Sequence, residues 1–185
     1  PEIFKAYDIR GIFPEEINGK TSYLVARAFA EHIRGKSKLP LRIIVAADAR
    51  PSSPEIKKGV IEGLLDEGVE VIDMGLATTP QHYFTVVQSG ADGGMMVTAS
   101  HNAYRTNGLK FTKKGGEQIG EGLEVMRQMV RRSIFQNAPT RGKLAEVPVT
   151  REYIEYLVSK VDLSGAKDLK IICDAGGGMT SLLIP

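Results

Sequence analysis

Cysteine and tryptophan are almost absent from this sequence: tryptophan does not occur, and Cys173 is the only thiol among 185 residues. No disulfide can therefore form within the chain, and a reducing, cytoplasmic compartment is expected. Because Cys173 ends the apolar run Ile171–Ile172, it is expected to be a small, buried core residue. The fold must rest on a hydrophobic core, for which a hydrophobic content of 42% is ample.

An excess of either charge is also lacking, since 24 Lys and Arg residues stand against 22 Asp and Glu residues. This balance argues against a nucleic-acid or membrane partner that is bound through bulk charge. No apolar run approaches the roughly 18 residues of a membrane-spanning helix, and the first residues lack the apolar segment of a signal peptide. Any anionic ligand must therefore be held by a few placed groups. The composition specifies no oligomeric state.

Short apolar segments alternate with amphipathic ones between residues 41 and 112. This alternation predicts an α/β domain in which helices cover both faces of a mixed sheet, giving three α/β/α layers. The predicted strands cover 41–47, 69–74, 93–98 and 108–112, and the predicted helices cover 21–35, 54–68, 79–90 and 123–134. In the third of these helices, the residues expected to face inward are Tyr83, Phe84 and Val87.

The chain is expected to hold this domain over residues 1–136, a connecting segment over 137–150, and the start of a second, similar domain over 151–185. The connecting segment contains proline and glycine and shows little periodicity. A helix over 151–161 is predicted next, with its inward residues Tyr153, Ile154, Leu157 and Val161. A buried strand over 169–173 and a glycine loop over 174–178 complete the predicted pattern.

Polar groups follow the predicted strand over 41–47, at the end where open α/β sheets usually bind ligands. Asp48 and Arg50 stand in this loop. A direct role in binding and a local ion pair that shapes the loop are about equally expected. Ser52 and Glu55 have the spacing of a capping box for the following helix.

The segment from Thr98 to Asn102 interrupts two apolar runs with small polar residues, a pattern typical of strand, exposed loop and strand. A serine at a strand end is where a fold displays a nucleophile or binds an anion, and a polar hairpin turn is the structural alternative. The strand-end loops together carry Arg10, Asp48, Arg50, Ser100, His101, Asn102 and Lys110. A serine among cations suits phosphoryl chemistry better than ester or peptide hydrolysis.

Two other chemistries have little support in the sequence. A serine hydrolase needs a histidine brought to Ser100 from another segment, and only His32 and His82 are candidates, because adjacent Ser100 and His101 should point apart on an extended chain. The G-x-S-x-G elbow is absent, and so is the P-loop spacing of nucleotide-binding proteins.

Four segments resemble the α-D-phosphohexomutase family, of the phosphomannomutase/phosphoglucomutase type. The loop Thr98–Asn102, continuing through Asn107 to Phe111, is similar to the family's phosphoserine loop. The other three segments are Phe4–Gly11, Asp48–Ser53 and Asp174–Gly178, in the family's order. The resemblance runs along the whole chain but covers only the first of four family domains and the edge of the second.

The resemblance implies a reversible movement of phosphate between the 1- and 6-positions of a hexose, through a hexose 1,6-bisphosphate. Ser100 would carry the phosphate, and His101 would orient it or assist proton transfer. Arg10 and Lys110 would stabilise charge on the transferring group. The positions expected beside the hexose phosphate substrate are Tyr7 and Asn102.

Mg²⁺ is the cofactor that the resemblance implies, with a phosphate oxygen on Ser100 as one ligand. The family's other ligands are aspartates of a D-x-D-x-D-R run in its second domain, and no such run occurs here. Ala103 stands where the family usually has proline, which would stiffen the loop. The chain alone is expected not to turn over substrate. Phosphoglucosamine mutase and a non-catalytic α/β binding domain are the alternatives.

Overall fold

The chain folds around one six-stranded sheet in the computed structural model, which describes residues 2–35, 40–162, 164–166 and 169–184. The strands run in the spatial order β1-β5-β4-β2-β3-β6. Strands β2, β3, β4 and β6 are parallel, while β5 lies antiparallel to both β4 and β1. Their bounds are β1 Ile9–Ile12, β2 Arg42–Ala47, β3 Glu70–Leu76, β4 Gly93–Val97, β5 Thr106–Lys113 and β6 Leu144–Glu146.

Helices cover both faces of this sheet. Their bounds are α1 Gly19–Arg34, α2 Ser53–Asp66, α3 Thr79–Gln88, α4 Gly122–Arg132 and α5 Thr150–Val158, with a short 3-10 helix at Met179–Leu182. Side chains of β2 alternate between two hydrophobic clusters, because successive residues of a strand point to opposite faces. Ile43 and Val45 belong to the cluster that contains α1, α2 and α4, whereas Ile44 and Ala46 pack with Val86 of α3. The predicted three-layer α/β/α architecture with a mixed sheet is confirmed.

Strand β1 covers Ile9–Ile12 and includes the Arg10-Gly11 pair. It forms because β5 is an antiparallel partner along its whole length, with Arg10 opposite Gly108. Strand β5 begins at Thr106, two residues before the expected position 108. The pairing brings the N-terminal segment next to the strand that follows the predicted serine loop.

The predicted capping box of α2 is wrong. Ser52 makes no side-chain cap, and its backbone is already helical. Glu55 instead accepts a hydrogen bond from the backbone N–H of Gly19 at 3.0 Å, so it joins α2 to the start of α1. A capping box forms elsewhere, where the Thr78 and Gln81 side chains each accept from the other residue's backbone N–H at the start of α3.

The predicted inner face of α3 is also wrong. The buried residues of this helix are Gln81, His82, Thr85 and Val86, and Val87 is exposed. Phe84 packs away from the sheet against Tyr153 and Tyr156 of α5, with ring centroids 5.3 and 4.8 Å apart. Phe84 therefore packs on α5, while the buried residues of α3 face the strands.

The predicted connecting segment is part of the sheet. Its residues 144–146 form β6, which pairs with Val71, Ile72 and Asp73 of β3. The backbone N–H groups of Ala138 and Gly142 donate to Asp66 and Leu65, so this segment also closes the end of α2. A three-residue exposed strand has no hydrophobic alternation, which is why its sequence reads as a loop. The proposed boundaries between the two domains stay a prediction.

The last part of the chain differs most from expectation. Within α5, Tyr153 is buried, whereas Ile154 and Leu157 are partly exposed, as is Val161 beyond the helix end. Residues 169–173 form no strand, and Ile172 and Cys173 are exposed rather than buried. A strand requires a neighbour to accept its backbone hydrogen bonds, and the described residues offer none at this position. Across the described parts of the chain, no helix is both long and apolar enough to cross a membrane.

Candidate active site

Ser100 lies just beyond the end of β4, in a loop that reverses the chain toward β5. Its backbone adopts the left-handed conformation, with φ of 57°, and its side chain is exposed. The Ser100 N–H donates to Thr98 Oγ1 at 3.0 Å, and the Asn102 N–H donates to the Ala99 carbonyl at 3.1 Å. These bonds fix the turn, and the sharp reversal displays the hydroxyl at the rim of the sheet.

His101 contacts Ser100 directly, against expectation. Its Nδ1 lies 3.3 Å from Ser100 Oγ, although adjacent residues on an extended strand would point apart. The left-handed backbone at Ser100 removes the extended geometry on which that expectation rested. His101 makes no other side-chain hydrogen bond to a described residue, so no carboxylate orients it as a catalytic triad requires. The other two histidines lie elsewhere, in α1 and in the buried face of α3.

Arg10 and Lys110 are brought together by Asp8, a residue that the sequence analysis did not single out. Asp8 Oδ2 lies 2.9 Å from Nη2 and 3.0 Å from Nε of Arg10, and 3.2 Å from Nζ of Lys110. The Asp8 side chain is only 10% exposed, and the two cations are 23% exposed. One carboxylate thus holds two cations and leaves the group with a net positive charge toward solvent.

The serine loop is joined to this cation pair through Asn102. Nη1 of Arg10 donates to Oδ1 of Asn102 at 2.7 Å, across 92 residues of sequence. The other two nitrogens of the Arg10 guanidinium group, Nε and Nη2, are directed to Asp8. Arg10 therefore connects the group around Asp8 to the segment two residues beyond Ser100. Of the four predicted catalytic residues, Ser100 and His101 lie in the loop after β4, while Arg10 lies in β1 and Lys110 within β5.

Behind the loop, Asn107 and Gly108 anchor β5 to the neighbouring elements. The buried Asn107 Nδ2 donates to the hydroxyls of Ser52 and Ser53 at 2.8 and 3.0 Å. A Cβ atom at Gly108 would lie 2.1 Å from the Ile9 carbonyl oxygen, so only glycine lets β1 approach this closely.

Asp48 and Arg50 form the local ion pair that was one of their two expected roles. Oδ2 of Asp48 lies 3.2 Å from Nε of Arg50, and Oδ1 accepts from the Ser53 hydroxyl at 2.6 Å. Both side chains are largely buried, at 10% and 14% exposure. The pair lies beneath the serine loop rather than at its open surface.

A shallow pocket of about 400 Å³ opens beside the cation pair. It is lined by Lys5, Ala6, Tyr7, Asp8, Arg10, Lys110 and Gln118. Tyr7 is 71% exposed, so its ring is available to a ligand in this pocket. Burial and then the negative charge of Asp8 raise the pKa of Tyr83, which keeps that hydroxyl protonated near the pocket. A small anionic ligand with further polar groups would contact Arg10, Lys110 and the Tyr7 ring in this pocket.

No cluster of three histidine, cysteine or carboxylate groups that could hold a metal ion exists among the described residues. Asp8 and Asp48 are both engaged by arginines, so neither is free to coordinate an ion. The donor that this chain could offer to Mg²⁺ is a phosphate oxygen on Ser100, a hard ligand of the kind Mg²⁺ prefers. The described residues therefore fit one ligand of such a site and not the whole site.

Comparison with known proteins agrees with this architecture. Residues 1–138 match the family model of the phosphoglucomutase/phosphomannomutase α/β/α domain I. The chain belongs to this family. It is 35% identical to a phosphomannomutase of Escherichia coli over 186 aligned residues, and 31% identical to a phosphomannomutase of Vibrio cholerae over 183. A phosphoglucomutase of Neisseria meningitidis serogroup A is 33% identical over 178 residues.

These relatives are much longer than this chain. The alignments cover 98% of the chain but 40% of the Escherichia and Vibrio proteins, and 96% of the chain but 38% of the Neisseria protein. A crystal structure of a phosphoglucomutase/phosphomannomutase family protein from Burkholderia thailandensis superposes with a TM-score of 0.77 at 30% identity. It covers 86% of this chain and 36% of the other. The chain thus corresponds to an N-terminal portion of these proteins.

Proposed function

We propose that this chain supplies the phosphoserine-bearing domain of a phosphohexomutase acting on mannose or glucose phosphates. In this proposal Ser100 carries a phosphoryl group and exchanges it with the 1- and 6-positions of the hexose. The relatives named phosphomannomutase and phosphoglucomutase support the class of reaction. The observation that carries the proposal is the exposed Ser100 hydroxyl, joined through Asn102 and Arg10 to a second cation, Lys110.

The reaction would proceed in two transfers. A sugar hydroxyl attacks the phosphorus on Ser100, its O–P bond forms as the Ser100 Oγ–P bond breaks, and its proton passes to the released Oγ. The product, a hexose 1,6-bisphosphate, turns and returns its other phosphate to Ser100 by the reverse step. Phosphoryl transfer depends on positioning and on cations near the equatorial oxygens, which are the roles we assign to Arg10 and Lys110.

The neighbouring side chains have narrower roles in this proposal. His101, at 3.3 Å from Ser100 Oγ, orients the phosphate or carries the proton between the two oxygens. Tyr7 and Asn102 contact the sugar phosphate from the two sides of Arg10. Mg²⁺, when bound to the phosphate on Ser100, would neutralise its charge, and its remaining ligands would come from residues other than those that the structure describes. A cytoplasmic location belongs to the proposal too, and a single cysteine is compatible with it.

The direct test is phosphorylation of Ser100. The full-length protein that contains this chain is incubated with glucose 1,6-bisphosphate, and its tryptic peptides are analysed by mass spectrometry. We expect one phosphate on Ser100, and loss of both the label and the mutase activity in Ser100→Ala. Ser133→Ala is the matched control, because Ser133 is the other serine with a left-handed backbone, φ of 50°, and lies at the end of α4.

Several outcomes would replace the proposal. A phosphate on another residue, or full mutase activity in Ser100→Ala, would remove the assigned nucleophile and favour a non-catalytic binding domain. Turnover of glucosamine phosphate in preference to mannose and glucose phosphates would make the protein a phosphoglucosamine mutase with the same nucleophile. Isolated residues 1–185 are expected to show no turnover, because the described residues hold no complete metal site.

A further inference from the structure

The guanidinium group of Arg50 donates four hydrogen bonds and forms one ion pair inside the protein. Nη2 donates to the carbonyls of Ser100 and Asn102 at 2.9 and 2.7 Å, and Nη1 donates to those of Ala103 and Thr106 at 3.0 and 2.9 Å. The fifth donor, Nε, faces Asp48 Oδ2 at 3.2 Å. All four Nη hydrogens of an arginine are then used, and Nε is turned to a carboxylate, so the group is directed into the protein and not toward a substrate or a phosphate.

The four carbonyls belong to one turn, the segment that carries Ser100 from β4 to β5. Carbonyl groups converging on one point repel one another, and they stay together only when a cation lies at their centre. The planar guanidinium group reaches four directions at once, which the point charge of a lysine cannot do. Arg50 therefore acts as the centre around which the turn is folded.

The position of Arg50 is fixed in turn by Asp48. Asp48 Oδ1 accepts from the Ser53 hydroxyl at 2.6 Å and from the Arg50 N–H at 3.1 Å, while its Oδ2 faces the guanidinium group. The N–H of Asp48 donates to the Val97 carbonyl at the end of β4. The ends of β2 and β4 thus hold the carboxylate that aims Arg50 at the loop.

Ser100 is the residue whose geometry depends most on this arrangement. A left-handed backbone at a residue other than glycine costs on the order of 1–2 kcal/mol and persists only when neighbouring contacts impose it. The bond that Arg50 Nη2 donates to the Ser100 carbonyl fixes the peptide plane that follows Cα, and the bond that the Ser100 N–H donates to Thr98 Oγ1 fixes the plane that precedes it. With both planes held, the direction of the Ser100 Cα–Cβ bond is set.

We infer that Arg50 is a positioning residue, which holds the turn so that the Ser100 hydroxyl faces the cations of the site. This inference rests on the proposed function for its catalytic consequence. Arg50 does not touch substrate, so its loss should leave substrate affinity nearly unchanged while the transfer step slows. A displacement of the reacting oxygen by about 1 Å lowers the rate by about a hundredfold.

The kinetic test uses the full-length protein with Arg50→Ala, Arg50→Lys and Arg105→Ala. Arg105 is the matched control, because it lies on the same loop but forms an exposed ion pair with Glu15. We expect kcat to fall by about a hundredfold in Arg50→Ala with KM changed less than about threefold, and Arg50→Lys to be nearly as slow. Added guanidinium ion, far below denaturing concentrations, should restore part of kcat in Arg50→Ala only. Equal kcat in Arg50→Ala and the wild type, or a rise in KM with kcat unchanged, would overturn the inference.

A second measurement on the 185-residue chain does not depend on activity. Hydrogen exchange of the amides in residues 99–106 should accelerate in Arg50→Ala, return toward the wild-type rate with guanidinium, and stay unchanged in Arg105→Ala. Unchanged exchange in Arg50→Ala would overturn the positioning role whatever the protein's reaction. If the wild-type protein neither accepts phosphate on Ser100 nor turns over sugar phosphates, the proposed function fails. The exchange result then decides by itself whether Arg50 holds the loop.

Discussion

Asp8 sets the charge of the candidate site at the scale of a single residue. It contacts Arg10 and Lys110 with the same oxygen, at 2.9 to 3.2 Å, and leaves one net positive charge among the three side chains. A carboxylate between two cations holds them in place and also lowers their attraction for an incoming phosphate. Asp8 therefore fixes the geometry of Arg10 and Lys110 and weakens the binding of an anion to them.

Replacing Asp8 by asparagine should separate these two effects. Asp8→Asn removes the negative charge and keeps the shape, so this chain should bind inorganic phosphate about fivefold more tightly than the wild type. Isothermal titration calorimetry at low ionic strength measures the difference, which should shrink as salt is added. Glu15→Gln is the control, because it breaks the exposed ion pair with Arg105. Equal or weaker phosphate binding by Asp8→Asn would show that Asp8 does not oppose the anion.

The sequence predicted the types of residue at the site better than their contacts. Ser100, Arg10 and Lys110 stood out because a serine and cations follow strand ends. Asp8 was missed since its role arises only when β1 pairs with β5 and brings it beside Lys110. The spacing of two residues between Asp8, just before β1, and Arg10 was the signal that could have found it, because such residues lie on the same side of an extended chain. The contact of His101 with Ser100 depends on one left-handed residue, which no pattern in the sequence indicates.

At the scale of elements, α3 is held to the sheet through a buried histidine. His82 is fully buried, and its Nε2 lies 3.3 Å from the Ile44 carbonyl, while Nδ1 has no partner among the described residues. Its ring also lies against Gly94 of β4, where an added Cβ would be 2.5 Å from Nε2. Burial lowers the pKa of His82 to about 4, so the imidazole is neutral in the folded chain at pH 7.

This histidine should make the stability of the chain depend on pH. In the unfolded chain, His82 binds a proton below its ordinary pKa of 6.5. In the folded chain, the same ring stays neutral down to about pH 4. The free energy of unfolding should therefore fall as the pH decreases from 6.5 to 4, by about 3 kcal/mol in total, and this residue should contribute no slope above that window. Urea unfolding at a series of pH values measures the slope.

His82→Gln provides the comparison, since its amide can donate to the Ile44 carbonyl without titrating. We expect a flatter profile between pH 6.5 and 4 in this variant. His101→Gln, at an exposed position, should keep the wild-type slope. Parallel profiles for the wild type and His82→Gln would show that this ring is not the group that titrates.

Elements with strong periodicity were predicted well, and elements defined by their partners were not. The apolar run of β2 and the stripe of α1 specify a strand and a helix without help from the rest of the chain. In α3, only ten residues long, the inward face was chosen from the largest side chains. Of those side chains, Phe84 packs on α5, which the local sequence does not reveal, and Val87 is exposed. The short strand β6 forms because it pairs with the edge of β3, so its own sequence contains no pattern that predicts a strand.

At the scale of the whole molecule, the cooperative unit extends beyond the family match. That match ends at residue 138, but the sheet continues to β6 and the aromatic packing continues into α5. The edge of β3 is closed by the bond from the Val71 N–H to the Lys143 carbonyl, at 2.7 Å, and by that from Val147 N–H to the Asp73 carbonyl, at 2.9 Å. Most described residues beyond 163 are exposed. A hydrogen bond from the Ala49 N–H, just after β2, to Met179 Sδ at 3.1 Å joins them to the rest of the described chain.

Truncation should reveal where this unit ends. A chain of residues 1–162 keeps β6 and α5, so its urea midpoint should lie close to that of 1–185. A chain of residues 1–138 lacks β6, which pairs with the edge of β3, and α5, which packs on Phe84 of α3. At about 1 kcal/mol for each backbone hydrogen bond lost, together with the aromatic packing, its free energy of unfolding should fall by about 3 kcal/mol or more. Equal midpoints for 1–138 and 1–162 would place the end of the unit at the family boundary. A large loss between 1–185 and 1–162 would mean that the exposed C-terminal segment stabilises the sheet, because it would then supply contacts that its exposure in the structure does not account for.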